Sequence, residues 1–134
     1  MTKVLLVEDT ASLAEEIMDI LRMEEFDVSL AKNGMDALNQ LATGLADIVI
    51  SDLFMPELDG FELITAIKYD ARLKDIPIII LSARTTSDTI DKVRELGGDL
   101  FIQKPCDSRY LVSSIKKILA KKDQVNKDDK TISG

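Results

Sequence analysis

The amino-acid sequence predicts an α/β fold: one doubly wound, five-stranded parallel sheet with five helices on its two faces. Short, β-branched, nearly continuous apolar runs suit strands that are covered on both sides. Amphipathic stretches with a helical period separate these runs. The two patterns alternate strictly, and such strand–helix–strand units join through right-handed crossovers into a parallel sheet.

The first strand is Val4-Leu5-Leu6-Val7. Residues 11–24 follow as a helix, because Leu13, Ile17, Ile20 and Leu21 share one face at i, i+4, i+7 and i+8. Val28-Ser29-Leu30-Ala31 alternates more and reads as an edge strand. Ala37, Leu38, Leu41 and Ala42 mark a second helix, closed by Gly44. Ile48-Val49-Ile50 is the third strand. Met55-Pro56 and Asp59-Gly60 then shape a turn and cap before a helix marked by Phe61, Ile64 and Ile67. The run Ile76-Pro77-Ile78-Ile79-Ile80-Leu81 is the fourth strand. Ile90, Val93 and Leu96 mark the fourth helix, with Gly97-Gly98 as a left-handed cap. Leu100-Phe101-Ile102 is the fifth strand. Leu111, Ile115, Ile118 and Leu119 make the last helix, with Asp107 or Ser108 as its N-cap. Residues 1–121 form the expected domain; 122–134 are polar and aperiodic, and are expected to be a tail or linker stump without fixed structure.

Composition excludes several classes of function. The net charge of -7 opposes direct nucleic-acid binding, since phosphate backbones attract basic surfaces. No apolar run approaches the roughly 20 residues of a membrane span. The apolar stretch near the N-terminus is followed at once by acids, unlike a signal peptide, so the cytoplasm is the expected location. A single Cys rules out an internal disulfide. Histidine is absent, which removes His-based triads, His metal sites and any role as a phosphohistidine donor. Chemistry in this chain must run on carboxylates, hydroxyls and amines.

In a doubly wound sheet, ligands bind beyond the carboxyl ends of the strands. Those ends carry Glu8-Asp9, Asp52, Ser82 and Lys104-Pro105. Clustered carboxylates repel each other unless a cation neutralises them or some take up protons. A hard divalent ion such as Mg²⁺, with its preference for oxygen ligands, answers that need.

The segments VEDT, SDLFMPELDG, LSA and QKP, in this order and spacing, resemble the receiver domains of two-component response regulators, including those like the chemotaxis regulators. The resemblance covers roughly residues 3–120. It implies a flavodoxin-like sheet of order 2-1-3-4-5 and a phosphoprotein that works in phosphorelay signalling, not an enzyme beyond its own phosphorylation and dephosphorylation. Asp52 would be the phosphoacceptor, a carboxylate nucleophile. Asp9 would hold Mg²⁺ directly, with Asp52 also in the metal site, and Mn²⁺ can substitute. Glu8 would act through water, and the backbone carbonyl of Phe54 would be a further ligand. Lys104 would pair with phosphoryl oxygens, Ser82 would donate its hydroxyl to another, and the Lys104–Pro105 bond would be cis. Ser82 and Phe101 would form the switch that alters the face made by the fourth helix, fifth strand and fifth helix. The implied partners are a histidine kinase or histidine phosphotransfer protein, and a downstream protein or fused output domain. A phosphorylation-dependent dimer is also compatible.

Some positions depart from the family pattern. Cys106 stands where Phe is frequent; alone, a cytosolic Cys is best read as a small apolar filler, not a reactive thiol. Phe54 is bulky where many receivers are polar, and Arg84 stands two residues after Ser82, so both are candidates for tuning the lifetime of the phosphoryl group. Two other functions compete. A haloacid-dehalogenase-type phosphatase wants a second Asp two residues after its nucleophile, where this chain has Phe54. A phosphorylation-independent scaffold needs none of the acids, hydroxyl and lysine present here. A true flavodoxin is excluded by charge, because Glu8-Asp9 would repel a flavin phosphate.

Overall fold

The computed structural model describes residues 1–133, with side chains described through Asp123. Strands and helices alternate as β1 (Lys3–Val7), α1 (Ala11–Met23), β2 (Asp27–Ala31), α2 (Gly34–Thr43), β3 (Ile48–Asp52), α3 (Gly60–Tyr69), β4 (Ile78–Ser82), α4 (Ser87–Leu96), β5 (Leu100–Gln103) and α5 (Ser108–Ser133). The five strands run parallel in the order β2-β1-β3-β4-β5. The expected polar tail, 122–134, falls mostly outside the described side chains.

Alternation along each strand divides the core into two layers. Leu5, Val7, Val49, Ile78 and Ile80 face Ala37, Leu41, Leu63, Ile64, Ile67 and Val93 on α2, α3 and α4. Val4, Leu6, Ile48, Ile50, Ile79 and Leu81 face Ala14, Ile17, Leu21, Leu111 and Ile115 on α1 and α5. Burial of each such side chain stabilises the fold by about 1.5–3 kcal/mol, which explains why the three central strands read as continuous apolar runs. β2 is an edge strand and alternates exposed with partly buried residues.

The helix ends follow local chemistry. Asp59 caps α3 with a capping box: Glu62 N–H donates to Asp59 at 2.9 Å, and the Glu62 carboxylate accepts the Asp59 N–H at 3.2 Å. Gly97 ends α4 at φ 110°, a left-handed conformation that glycine tolerates. Asp107, not Ser108, caps α5, because its side chain accepts the Arg109 N–H at 2.8 Å. The fourth strand begins later than its apolar run suggests. Pro77 has no N–H to give, although its carbonyl still accepts from Val49 at 3.0 Å, and pairing as β4 starts at Ile78. Ala42, expected on the apolar face of α2, is exposed, and Gly34 takes a buried place at the start of that helix.

The chain leaves β1 for β2 on one side and then crosses to β3 on the other. The strand order therefore reverses between β1 and β3, and a crevice opens beyond their carboxyl ends.

Candidate functional site

Parallel register brings the chemistry-bearing residues to one rim. Asp52 ends β3 opposite Leu81, Ser82 ends β4 opposite Gln103, and Glu8 directly follows β1. Glu8, Asp9 and Asp52 each offer a carboxylate oxygen, and these oxygens lie within 4.8 Å of one another. Lys104 reaches across from the end of β5. Its Nζ lies 2.9 Å from Glu8 Oε2 and 3.4 Å from Asp52 Oδ2.

The members of this cluster differ in solvation. The Glu8 side chain is only 2% exposed, a setting that penalises a lone charge. It is compensated at both oxygens, by Lys104 and by the Thr10 N–H at 3.2 Å. Asp52 accepts the Leu53 N–H at 2.7 Å on Oδ1, while Oδ2 faces Lys104. Asp9 is exposed at the mouth. Three carboxylates against one ammonium leave a formal surplus of two negative charges. An all-oxygen donor set with that surplus fits a hard divalent cation.

Ser82 is buried, and its Oγ accepts the Arg84 N–H at 3.1 Å. That bond leaves the hydroxyl proton for another acceptor. Its carbonyl accepts the Lys104 N–H at 2.9 Å, tying β4 to the start of the bend in which the Lys104–Pro105 bond is cis. Phe101 is half-buried against the layer of α2, α3 and α4, beside Ile90, Val93 and Arg94. Cys106 packs between α1 and α5 near Leu13, Ile17 and Leu111. Burial pushes its thiol above the ordinary value, as suits a packing residue.

Two features of the rim are not evident in the sequence pattern. In the sequence Gly60 reads as a turn residue, yet a Cβ there would stand 2.7 Å from the Asp52 carbonyl oxygen and 2.8 Å from the Leu53 Cα. The capped start of α3 is thus pressed onto the backbone that carries Asp52. The second feature is aromatic: the Arg84 guanidinium lies over the Phe54 ring, 4.7 Å from its centroid.

A parallel sheet with an acidic crevice at its switch point, crossed by a lysine from β5, is the architecture of signalling receiver domains. The chain belongs to the response regulator receiver domain family of two-component systems, whose sequence signature matches residues 4–116. It is 38% identical over 121 residues to the transcriptional regulatory protein CpxR homolog of Haemophilus influenzae, a match covering 89% of this chain and 51% of that protein. It is 37% identical over 134 residues to the sensory transduction protein RegX3 of Mycolicibacterium smegmatis, covering 96% of this chain and 57% of that one. The chain thus spans about half the length of these curated relatives. Among solved structures, the signal receiver domain of a signal transduction histidine kinase from Syntrophus aciditrophicus superposes with a TM-score of 0.84 at 33% identity, covering 90% of this chain and 91% of that one. The chemotaxis protein CheY4 of Vibrio cholerae gives 0.83 at 27% identity, covering 87% and 98%. The family is one of signalling domains. Among the described residues, no helix is long and apolar enough to cross a membrane.

Proposed function

We propose that Asp52 accepts a phosphoryl group from the phosphohistidine of a partner kinase or phosphotransfer protein, and that this switches the face through which the chain acts on its target. One observation carries the reading: Lys104 Nζ stands between Glu8 and Asp52, with Asp9 in reach of the same ligand. An Asp52 carboxylate oxygen attacks phosphorus as the phosphorus–nitrogen bond of the donor breaks, forming an acyl phosphate. The transition state of phosphoryl transfer is loose, so the site has mainly to position groups and neutralise charge. Lys104 does both, through its hold on Glu8. Asp9 and Asp52, Glu8 through water, and the Phe54 carbonyl would hold Mg²⁺ or Mn²⁺. The bound cation supplies charge neutralisation at the transferring group. The pairing of Glu8 with Lys104 favours the indirect role for Glu8.

The acyl phosphate adds about -2 of charge at the end of β3. The Ser82 hydroxyl donates to it, and Phe101 moves inward behind Ser82. The surface of α4, β5 and α5 changes with it. This is a population shift: the phosphoryl group must bind one state better than the other. That surface would meet a downstream protein, a fused output domain or a second copy of the chain. Phe54 and Arg84 hinder the attacking water and lengthen the life of the phosphoryl group.

Acetyl phosphate and Mg²⁺, followed by intact-mass measurement, test the assignment directly. The parent gains one phosphate and Asp52→Asn gains none. A phosphate that survives in the variant, or a parent that never takes one, rejects Asp52 as the acceptor.

A further inference from the structure

Three contacts outside the acidic crevice form a series, and two of them link segments far apart in the chain. Arg84 lies over Phe54 at 4.7 Å. The Phe54 and Phe61 rings stand 6.2 Å apart at 86°, an edge-on pair. Lys92 Nζ lies 4.2 Å from the centroid of the Phe61 ring. The series Arg84, Phe54, Phe61, Lys92 therefore runs from the β4–α4 loop, across the loop after Asp52, to the first turn of α3 and on to α4.

The two rings are held differently. Phe61 is half-buried and packs on the core layer of α2, α3 and α4. It also follows Gly60, which abuts the backbone of Asp52 and Leu53. Phe54 is 41% exposed and lies outside both core clusters. A phenyl ring on an exposed loop would otherwise exchange rotamers freely. Here one face carries a cation, and the neighbouring ring is anchored in the core. Phe54 thus takes its position from Phe61. Since β3 and β4 are adjacent strands, Phe54 and Arg84 flank the same edge of the crevice.

We infer that Phe61 and Lys92 are positioning residues for the chemistry at Asp52, holding Phe54 and, through it, Arg84 where they slow hydrolysis of the acyl phosphate. In that hydrolysis a water oxygen attacks phosphorus and the bond from phosphorus to the Asp52 oxygen breaks. The carboxylate is restored, inorganic phosphate leaves, and the surplus proton of water passes to phosphate or solvent. The inference rests on Asp52 being the acceptor.

The test loads the full chain with acetyl phosphate and Mg²⁺, removes the donor, and follows the bound phosphate by intact mass over time. Phe61→Leu shortens the lifetime by about two- to tenfold, the size of one aromatic pair contact. Lys92→Gln shortens it by about two- to fivefold, the size of an exposed cation–π contact, and Lys92→Arg restores it. In a Phe54→Leu background, Phe61→Leu has no further effect. That non-additivity separates action through Phe54 from a general loosening of the fold, and the outward Lys92 keeps the test valid if Phe61→Leu folds poorly. Equal lifetimes in the parent and Lys92→Gln overturn the inference, as does full additivity of the two Phe changes. A parent that takes no phosphate rejects the Asp52 assignment, and this inference with it.

Discussion

Lys104 and Arg84 are both cations just beyond a strand end, yet the molecule holds them in opposite ways. Lys104 is 17% exposed and bonded to a buried carboxylate at 2.9 Å, with Asp52 on its other side. Arg84 is exposed and balanced on the face of a ring that is itself 41% exposed. The first arrangement holds the ammonium tightly, because moving it would leave the buried Glu8 carboxylate without a countercharge. The second costs little to disturb, since an exposed cation–π contact contributes only about 0.5–1 kcal/mol. A group that must meet a developing charge benefits from the first arrangement, and a group that adjusts access benefits from the second.

The comparison breaks most visibly at Lys104. Lys104→Ala should destabilise the fold by about 3 kcal/mol, the lower end for breaking a buried pair, given that Lys104 keeps some contact with water. Glu8→Gln in that background should recover most of the loss, because the stranded charge is then gone. Urea unfolding of the two variants reads this directly, and a single-variant cost below about 1 kcal/mol would mean that Glu8 does not depend on Lys104. Gly60→Ala comes next. A methyl group 2.7 Å from the Asp52 carbonyl must push the backbone of β3 or the start of α3, at a cost of about 1–3 kcal/mol. If Asp52 is the acceptor, it should also slow phosphorylation by acetyl phosphate, because the displaced segment carries Asp52. A variant with parental stability and rate would show that the contact relaxes freely.

The size of these effects does not track what the sequence made legible. The sheet could be read because Val4–Val7, Ile48–Ile50 and Ile78–Leu81 are buried on both faces, so burial leaves its mark at every residue. The acidic rim could be read because parallel strands end on one side, which turns four sequence positions into neighbours without further geometry. The contact of Gly60 with Asp52 could not be read: a glycine after a capping Asp already has a local explanation, and nothing local reports its distance to another segment. The same holds for Lys92, which looks like any solvated helix lysine until α4 is packed beside α3. The true start of β4 and the exposure of Ala42 were obscured because apolar character alone does not specify which residues pair or face the core.

The smallest expected change in stability lies at the second cation, and there the comparison is sharpened instead of broken. Phe54→Asn removes a ring that is largely outside the core, so the urea midpoint should move by less than about 1 kcal/mol in free energy. The decay of the acyl phosphate should nevertheless quicken, by about two- to tenfold and no less than in Phe61→Leu, if the ring and Arg84 act as one barrier to water. Arg84→Gln, which leaves the ring but removes the charge above it, should give a part of that acceleration and no more. The two variants separate steric from electrostatic shielding, because Asn admits water where Phe does not, whereas Gln in place of Arg changes mainly the charge. If Phe54→Asn decays at the parental rate or more slowly, the exposed cation and its ring have no part in the lifetime, and the fixed lysine alone distinguishes the chemistry of this rim.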